Sequence, residues 1–214
     1  MKKNLRYKAY SEIKDKILYF ELKPGQKIIE SDISKILKMS RTPVREALLM
    51  IESEKLVQCD GKSGFYVRKP SQQNISQYYQ LRTVIENFAA PAIFENITPA
   101  EIRALEANIR EAKKALKQKN MKSLIRFETQ FHQILYKSSR SEVLIETLVP
   151  LSDKFHWLRS ISLHAPGGAE GSLEDHIRIY EAIKSNDIEE YKKQMKIHFE
   201  DAEEKYKQMQ NLFF

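Results

Sequence analysis

The chain has 214 residues, of which 42% are hydrophobic and 30% charged, a composition typical of a folded globular protein. No apolar stretch approaches the roughly 20 residues that a membrane-spanning helix needs, so we expect no membrane contact. The basic first residues lead into a polar segment rather than the apolar core of a secretory signal. The single cysteine, Cys59, excludes an internal disulfide and is typical of a reducing compartment, so the sequence predicts a cytoplasmic protein.

The net charge of +7 is concentrated in the first third of the chain. Residues 1–70 contain 16 basic residues (Lys and Arg) and 9 acidic residues (Asp and Glu). Residues 71–214 contain 20 basic and 20 acidic residues. A basic segment joined to an electroneutral one predicts a polyanion-binding part and a part with another role. The polar stretch Lys69–Gln73 marks the boundary. We therefore predict two domains, 1–70 and 71–214.

The basic domain is predicted to contain three helices followed by a β-hairpin. The helices span 7–22, 29–37 and 41–54, and the strands span 56–59 and 65–67. The second and third helices are joined by only a few residues, which is typical of a helix-turn-helix. The turn between the strands is rich in residues that tolerate positive φ, and Lys62 at its tip is a candidate DNA contact. This order is that of a winged helix-turn-helix.

The start of the third predicted helix is suited to an anion. Ser40 or Thr42 can cap the helix, and Pro43 is tolerated in its first turn. Arg41 and Arg45 flank this N-terminus, although the helix dipole repels cations there. DNA phosphates and guanine edges would supply a reason for both arginines. The alternative is a solvated basic helix start without a ligand.

Every later segment has the pattern of a helix, so the predicted fold class is mainly α. A winged helix-turn-helix is followed by an antiparallel bundle of about six helices. These helices are predicted over 72–95, 99–119, 121–137, 141–163, 173–185 and 188–212. The segment His164–Gly168 is the one long loop predicted among them.

An arginine lies within the apolar stripe of the first bundle helix. A buried guanidinium keeps its charge, so Arg82 needs an anion if it faces the core. Glu86, one helical turn later, would supply that anion within the protein. Alternatively, Arg82 binds a carboxylate or phosphate group of a small molecule.

Three histidines and one acid also fall on inward faces of predicted helices. They are Glu128, His132, His176 and His198. If they converge, they form a metal site without sulfur, and imidazole with carboxylate suits Zn, Ni, Mn or Fe. A single inward histidine is more often a hydrogen-bonded core residue. We apply that interpretation to His156 and His164, the first on a helix and the second in a loop.

The motifs of residues 1–70 resemble the N-terminal domain of GntR-type bacterial transcription regulators. The resemblance is carried by Leu22–Gly25, Ser40–Leu48, Glu54–Val57 and Gly64–Val67. It implies that Arg41 and Arg45 read base edges in the major groove. It also implies phosphate contacts for Ser40 and Thr42 and a minor-groove contact for the backbone of Gly64.

Residues 73 to about 205 resemble the FCD ligand-binding domain of the FadR-type branch of that family. The resemblance is carried by Leu81–Glu86, Phe127–His132, Asp175–Asp187 and His198. It implies that a divalent metal, with Zn or Ni expected first, lies beside an effector pocket that contains Arg82. The implied metal ligands are Glu128, His132, His176 and His198. Glu128 stands where the family usually has Asp, and its extra methylene reaches further.

We therefore expect a DNA-binding regulator controlled by a small organic acid that binds beside the metal. A homodimer is expected, because a two-fold dimer matches a palindromic double-stranded operator. Two alternatives stay open. One is a regulator that senses the metal itself, and the other is an enzyme in which the metal activates water. No catalytic residue is predicted, because the sequence shows no serine or cysteine constellation and no phosphate-binding glycine loop.

Overall fold

Two units, Met1–Ser71 and Gln72–Phe214, make up the chain in a computed structural model that describes residues 2–61, 64–148 and 151–213. Within those ranges there are ten helices and three short strands, so the predicted mainly α fold is confirmed. No helix in the described ranges combines the length and apolarity needed to cross a bilayer.

The first unit is a three-helix cluster with a small sheet. Its helices are α1 (Lys2–Leu18), α2 (Glu30–Leu37) and α3 (Arg41–Ser53), and its strands are β1 (Lys27–Ile28), β2 (Val57–Cys59) and β3 (Phe65–Val67). The sheet is antiparallel in the order β1-β3-β2, and Val57 lies opposite Val67. Strand β1 was not predicted, because two residues are too few to show the alternation of a strand. The candidate Lys62 lies outside the described residues.

Helix α1 ends earlier than predicted because its last apolar residue belongs to a turn. The side chain of Phe20 is buried, but its φ is +63°, which takes it out of the helix. The amide of Leu22 then donates to the carbonyl of Lys16 and closes the helix end. The buried face of α1, with Ile13 and Ile17, packs against α3.

The second unit contains seven described helices rather than about six. They are α4 (Gln72–Asn96), α5 (Pro99–Lys117), α6 (Met121–Ser138), α7 (Glu142–Leu148), α8 (Ser152–Leu163), α9 (Gly168–Lys184) and α10 (Ile188–Phe213). The single helix predicted over 141–163 is wrong, since α7 and α8 are separate. Pro150 in the sequence between them has no amide hydrogen to continue a helical ladder.

Helix α9 begins five residues before the predicted start, and the predicted loop His164–Gly168 is a four-residue connection. Only residues 164–167 connect α8 to α9. Gly168 makes this tight connection possible, since a Cβ there would lie less than 3.0 Å from the carbonyl oxygen of Ser162. The capping pattern at Ser172 suggested a later start, but its hydroxyl donates to Glu128 Oε2 at 2.8 Å instead.

The helices of the second unit pack around a common core. Helix α10 packs against α9, α4 and α8, whereas α5 packs against α6 and α9. Large fully buried side chains such as Phe131, Trp157, Tyr191 and Phe199 fill the space between the helices. Polar residues that face this core are therefore enclosed by apolar side chains.

Two glycines of α9 provide a matched test of this packing. Gly168→Ala should destabilise the chain by roughly 1–3 kcal/mol, because the new methyl group meets backbone that cannot move freely. Gly171→Ala should stabilise it by about 0.5–1 kcal/mol, because an added Cβ meets nothing within 4 Å in a helix interior. Chemical denaturation of the full chain measures the free energy of unfolding of both variants. Equal effects of the two substitutions would contradict the close contact at Gly168.

Candidate nucleic-acid interface and candidate metal centre

The exposed N-terminus of α3 carries three of the predicted DNA-binding side chains. Ser40 is the N-cap, and its side chain makes no capping hydrogen bond. Ser40, Arg41 and Thr42 are all exposed. A helix N-terminus with exposed hydroxyl groups and a guanidinium is suited to bind phosphate oxygens.

Arg45 is exposed but already has a partner within the first unit. Its Nη1 donates to Glu30 Oε1 of α2 at 2.9 Å. Its guanidinium carbon lies 5.9 Å from the ring centroid of Phe65. An ion pair at the surface is worth only about 0–1 kcal/mol, so Arg45 is held in place and can still exchange Glu30 for another acceptor.

Gly64 lies at the end of the hairpin turn in a conformation that side chains rarely adopt. Its φ is +110°, and its amide donates to Asp60 Oδ1 at 2.9 Å. A larger residue would be strained there. The backbone at this position is therefore fixed by the turn and is open to close approach.

Three of the predicted metal ligands converge in the second unit. His132 of α6, His176 of α9 and His198 of α10 are each at most 3% exposed. Each offers a ring nitrogen, and these atoms all lie within 4.8 Å of one another. Zn–N bonds of about 2.0–2.1 Å mean that small side-chain rotations would bring all three to one ion. We call these three residues the histidine cluster.

Several buried atoms of the cluster have no hydrogen-bond partner. They are both ring nitrogens of His132, Nε2 of His176 and Oε1 of the neighbouring Glu128. Buried polar atoms are rarely left unpaired, because desolvation without a partner is costly. The donor set of imidazole nitrogen and carboxylate oxygen therefore fits a divalent metal ion.

Glu128 contacts the cluster through one histidine. It is fully buried on α6, and its Oε2 lies 3.3 Å from His176 Nε2. Burial raises the pKa of Glu128 to about 7, although the hydrogen bond from Ser172 opposes that shift. A nearby cation would favour the ionised form of this carboxyl group.

A carboxylate that the sequence motifs did not reveal orients one of the histidines. Asp175 Oδ2 lies 3.2 Å from His198 Nδ1, and its other oxygen accepts a hydrogen bond from Arg178. This contact leaves Nε2 of His198 for the cluster. Histidines that bind metals commonly have such a carboxylate on the second nitrogen. In the sequence, Asp175 stands only as the first residue of the motif Asp175–Asp187, without a role of its own.

The histidines of the cluster are in the protonation state that binds metals. Burial lowers the pKa of His132 and of His176 well below the usual value. Burial also lowers the pKa of His198, although Asp175 partly opposes it. All three imidazoles are therefore neutral near pH 7, with a lone pair available. His156 and His164 lie elsewhere, 3.1 Å from Thr129 Oγ1 and 2.7 Å from the Ser160 carbonyl respectively.

Arg82 is buried and contacts the internal anion that was proposed as one alternative. Its Nη2 lies 3.4 Å from Glu86 Oε1 and donates to the hydroxyl of Tyr136 at 3.3 Å. Its guanidinium carbon is 4.2 Å from the ring centroid of Phe199 and 4.9 Å from that of Phe155. Tyr136 donates to the same oxygen of Glu86. The charge of Arg82 is thus balanced within the protein.

A second buried arginine was not singled out in the sequence. Arg159 of α8 is 7% exposed, and its Nη1 donates to Thr129 Oγ1 at 2.8 Å. Burial and the charge of Arg82 lower the pKa of Arg159 to about 10. In the sequence, Arg159 stands beside Ser160 between Leu158 and Ile161, and only the packing of the helices shows that it is buried.

Two cavities open beside the histidine cluster. The α9–α10 cavity has a volume of about 300 Å³, and its lining includes Arg82, Arg159, Asp175 and His198. The α6–α8 cavity has a volume of about 220 Å³, and its lining includes His132, Tyr136, Lys137 and Arg159. A small molecule in either cavity would touch the cluster and a guanidinium, which is the chemistry needed to bind a carboxylate.

Comparisons with known families and sequences agree with this organisation. Residues 5–67 match the model of the bacterial regulatory proteins of the gntR family, and residues 77–201 match the model of the FCD domain. The chain is 28% identical over 191 residues to the HTH-type transcriptional regulator YdhC of Bacillus subtilis, which covers 89% of this chain and 85% of YdhC. It is 24% identical over 200 residues to the HTH-type transcriptional repressor RspR of Escherichia coli. That alignment covers 94% of this chain and 88% of RspR.

Solved structures share the fold. Escherichia coli McbR/YncC aligns with a TM-score of 0.75 and 22% identity over 98% of this chain and 99% of that one. A transcriptional regulator of the GntR type from Rhodococcus sp. RHA1 aligns with a TM-score of 0.76 and 21% identity, with the same coverage.

The convergence of the histidines predicts that one substitution abolishes metal binding. We expect each chain of the wild type to retain one divalent ion, and His176→Ala to lose it, because a ligand of the cluster is removed. His164→Ala is the matched control, since that histidine bonds to a carbonyl outside the cluster. Native mass spectrometry measures the metal-to-protein ratio. An unchanged ratio in His176→Ala would count against the site.

Proposed function

The chain belongs to the GntR family of bacterial transcription regulators and carries an FCD domain, and from that premise we propose that a small organic acid controls its binding to operator DNA. The relatives are DNA-binding regulators of transcription, so the protein is not an enzyme. The acid would bind beside a divalent metal in the second unit. The protein would act in the cytoplasm, where the bacterial chromosome lies.

One observation carries this proposal. Three neutral, buried histidines, of which His132 and His176 have unpartnered ring nitrogens, adjoin two cavities whose linings together include two buried arginines. Neutral imidazoles suit a metal ion, and guanidinium groups suit a carboxylate. An apolar core would not need either group.

The metal would be held by four side chains. His132, His176 and His198 supply nitrogen, and Glu128 supplies a carboxylate oxygen beside His176. Zn or Ni is the ion that we expect, since both accept this donor set. When bound, the ion supplies a positive charge that attracts an anionic ligand. Asp175 keeps the ring of His198 oriented, and Arg82 lines the effector cavity.

The DNA-binding roles follow the geometry of the first unit. Arg41 and Arg45 would read base edges in the major groove, with Arg45 released from Glu30. Ser40 and Thr42 would hold phosphates, and the fixed backbone at Gly64 would approach the minor groove. Lys62 would add a positive charge at the tip of the wing.

A second copy of the chain would complete the regulator. Helix α4 exposes Leu81, Val84 and Phe88, whose exposed fractions are 42%, 66% and 77%. The three follow one another at three- and four-residue spacing and so form one apolar stripe. We assign this stripe to a homodimer contact, because a palindromic operator requires a two-fold partner. The masses from native mass spectrometry report the subunit count together with the metal.

The recognition role of Arg45 predicts a loss of sequence-specific affinity. Arg45→Ala should weaken binding to the specific site by about 1–3 kcal/mol, because a bidentate contact to a base is lost. Arg110→Ala, which removes an arginine that is 65% exposed on the second unit, is the control for charge. A duplex selected by the protein from a random pool serves as the operator, and fluorescence anisotropy measures affinity. Equal affinities of wild type and Arg45→Ala would refute the assignment.

The proposed control by an acid predicts a linked change in operator affinity. With metal bound, at least one of acetate, lactate and succinate should change operator affinity at least fivefold, which is the low end of typical coupling between sites. His176→Ala should abolish the response while still binding the operator. The alternative, a sensor of the metal itself, predicts that operator affinity follows added Zn or Ni and ignores all three acids.

A further inference from the structure

Arg159 is a buried cation without an ion-pair partner among the described residues. In the described part of the chain, no carboxylate oxygen lies within 4.0 Å of its guanidinium. Its recorded partner is the uncharged hydroxyl of Thr129, and its Nε is buried without a partner. Burial of an uncompensated charge is costly, so such a group indicates an anion that binds from outside.

The contrast with Arg82 separates the roles of the two arginines. Arg82 contacts the carboxylate of Glu86 and stacks on Phe155 and Phe199. An incoming anion gains little from a guanidinium whose charge is already balanced. It gains more from Arg159, whose desolvated charge has no carboxylate partner among the described residues and whose Nη1 bonds only to a neutral hydroxyl.

The position of Arg159 makes it reachable from either cavity. It lines both the α9–α10 cavity and the α6–α8 cavity, and each cavity also touches a histidine of the cluster. Thr129 holds one end of the guanidinium. The hydroxyl of Thr129 accepts a hydrogen bond from Nη1 of Arg159 and donates one to the carbonyl of Ile125. Thr129 therefore occupies only one N–H group of the guanidinium.

The other charged groups around the larger of these two cavities do not replace the missing anion. Asp175 is paired with Arg178 and His198. Asp201 and Glu204 are exposed to solvent on α10, and Lys205 donates to the carbonyl of Pro166. Exposed charges are screened by water, so these surface groups do not compensate the buried charge of Arg159.

We propose that Arg159 binds the carboxylate of the effector directly, and that Arg82 positions Glu86 rather than anchoring the ligand. This inference rests on the proposed function and assigns the anion to a residue outside the sequence motifs. A volume of about 300 Å³ is at the small end of the range for ligand pockets, so the ligand we expect is a small carboxylate.

The test measures binding of acetate, lactate and succinate to the full-length protein with metal bound. Isothermal titration calorimetry gives the dissociation constant, and the fluorescence of Trp157, the single tryptophan, reports binding from the same helix. For the acid that binds the wild type most tightly, Arg159→Gln should weaken binding at least tenfold. Arg82→Gln should weaken it less, and the exposed control Arg110→Gln should change it less than twofold. The metal content of Arg159→Gln should remain that of the wild type.

The outcomes separate this inference from the proposed function. If an acid binds and changes operator affinity but Arg159→Gln binds it as tightly as the wild type, the role of Arg159 is overturned and the proposed function stands. If no acid binds the wild type, the control by an acid fails and this inference fails with it. If Arg159→Gln does not fold, Arg159→Lys provides the comparison, since it keeps the charge and loses the planar fork. Its binding should be weaker than that of the wild type, and equal binding overturns the proposal.

Discussion

The second unit depends on how it compensates the charges that it buries. Helices α4, α8 and α6 bring Arg82 with Glu86, Arg159 and Glu128 into a core that is otherwise apolar. Each such group costs several kcal/mol of desolvation free energy unless a partner or a pKa shift offsets that cost. Arg82 and Glu86 compensate each other, and Glu128 is partly protonated near pH 7. The groups that remain uncompensated mark where a ligand belongs.

Much of this organisation could be predicted from the sequence because it follows from periodicity. Polar residues at inward positions of amphipathic helices are conspicuous, so Arg82 and the three histidines of the cluster were identified before the fold was known. Arg159 was missed because its burial depends on tertiary packing. Its partner Thr129 lies 30 residues away on another helix, and nothing in the local pattern reveals that contact. The pairing of Asp175 with His198 is hidden for the same reason.

The boundaries that were predicted incorrectly have local causes. The cap signal at Ser172 was overridden because Gly168 allows α9 to approach the end of α8 so closely that the helix can start earlier. Strand β1 exists because β3 pairs with it and not because its two residues favour a strand. The predicted bounds of α3 and α4 each differ from the structure by one residue, because apolar residues at helical spacing define both helices.

The ion pair between Glu30 and Arg45 has a consequence for discrimination between DNA sequences. An arginine that already has a carboxylate acceptor gains, on meeting a base, only the difference in free energy between the two partners. A DNA site without guanine offers Arg45 no better acceptor than Glu30. Arg45 therefore contributes little to the free energy of binding at such a site. In the proposed mode of binding, the carboxylate therefore lowers the occupancy of random chromosomal sequence and sharpens selectivity at the cost of absolute affinity.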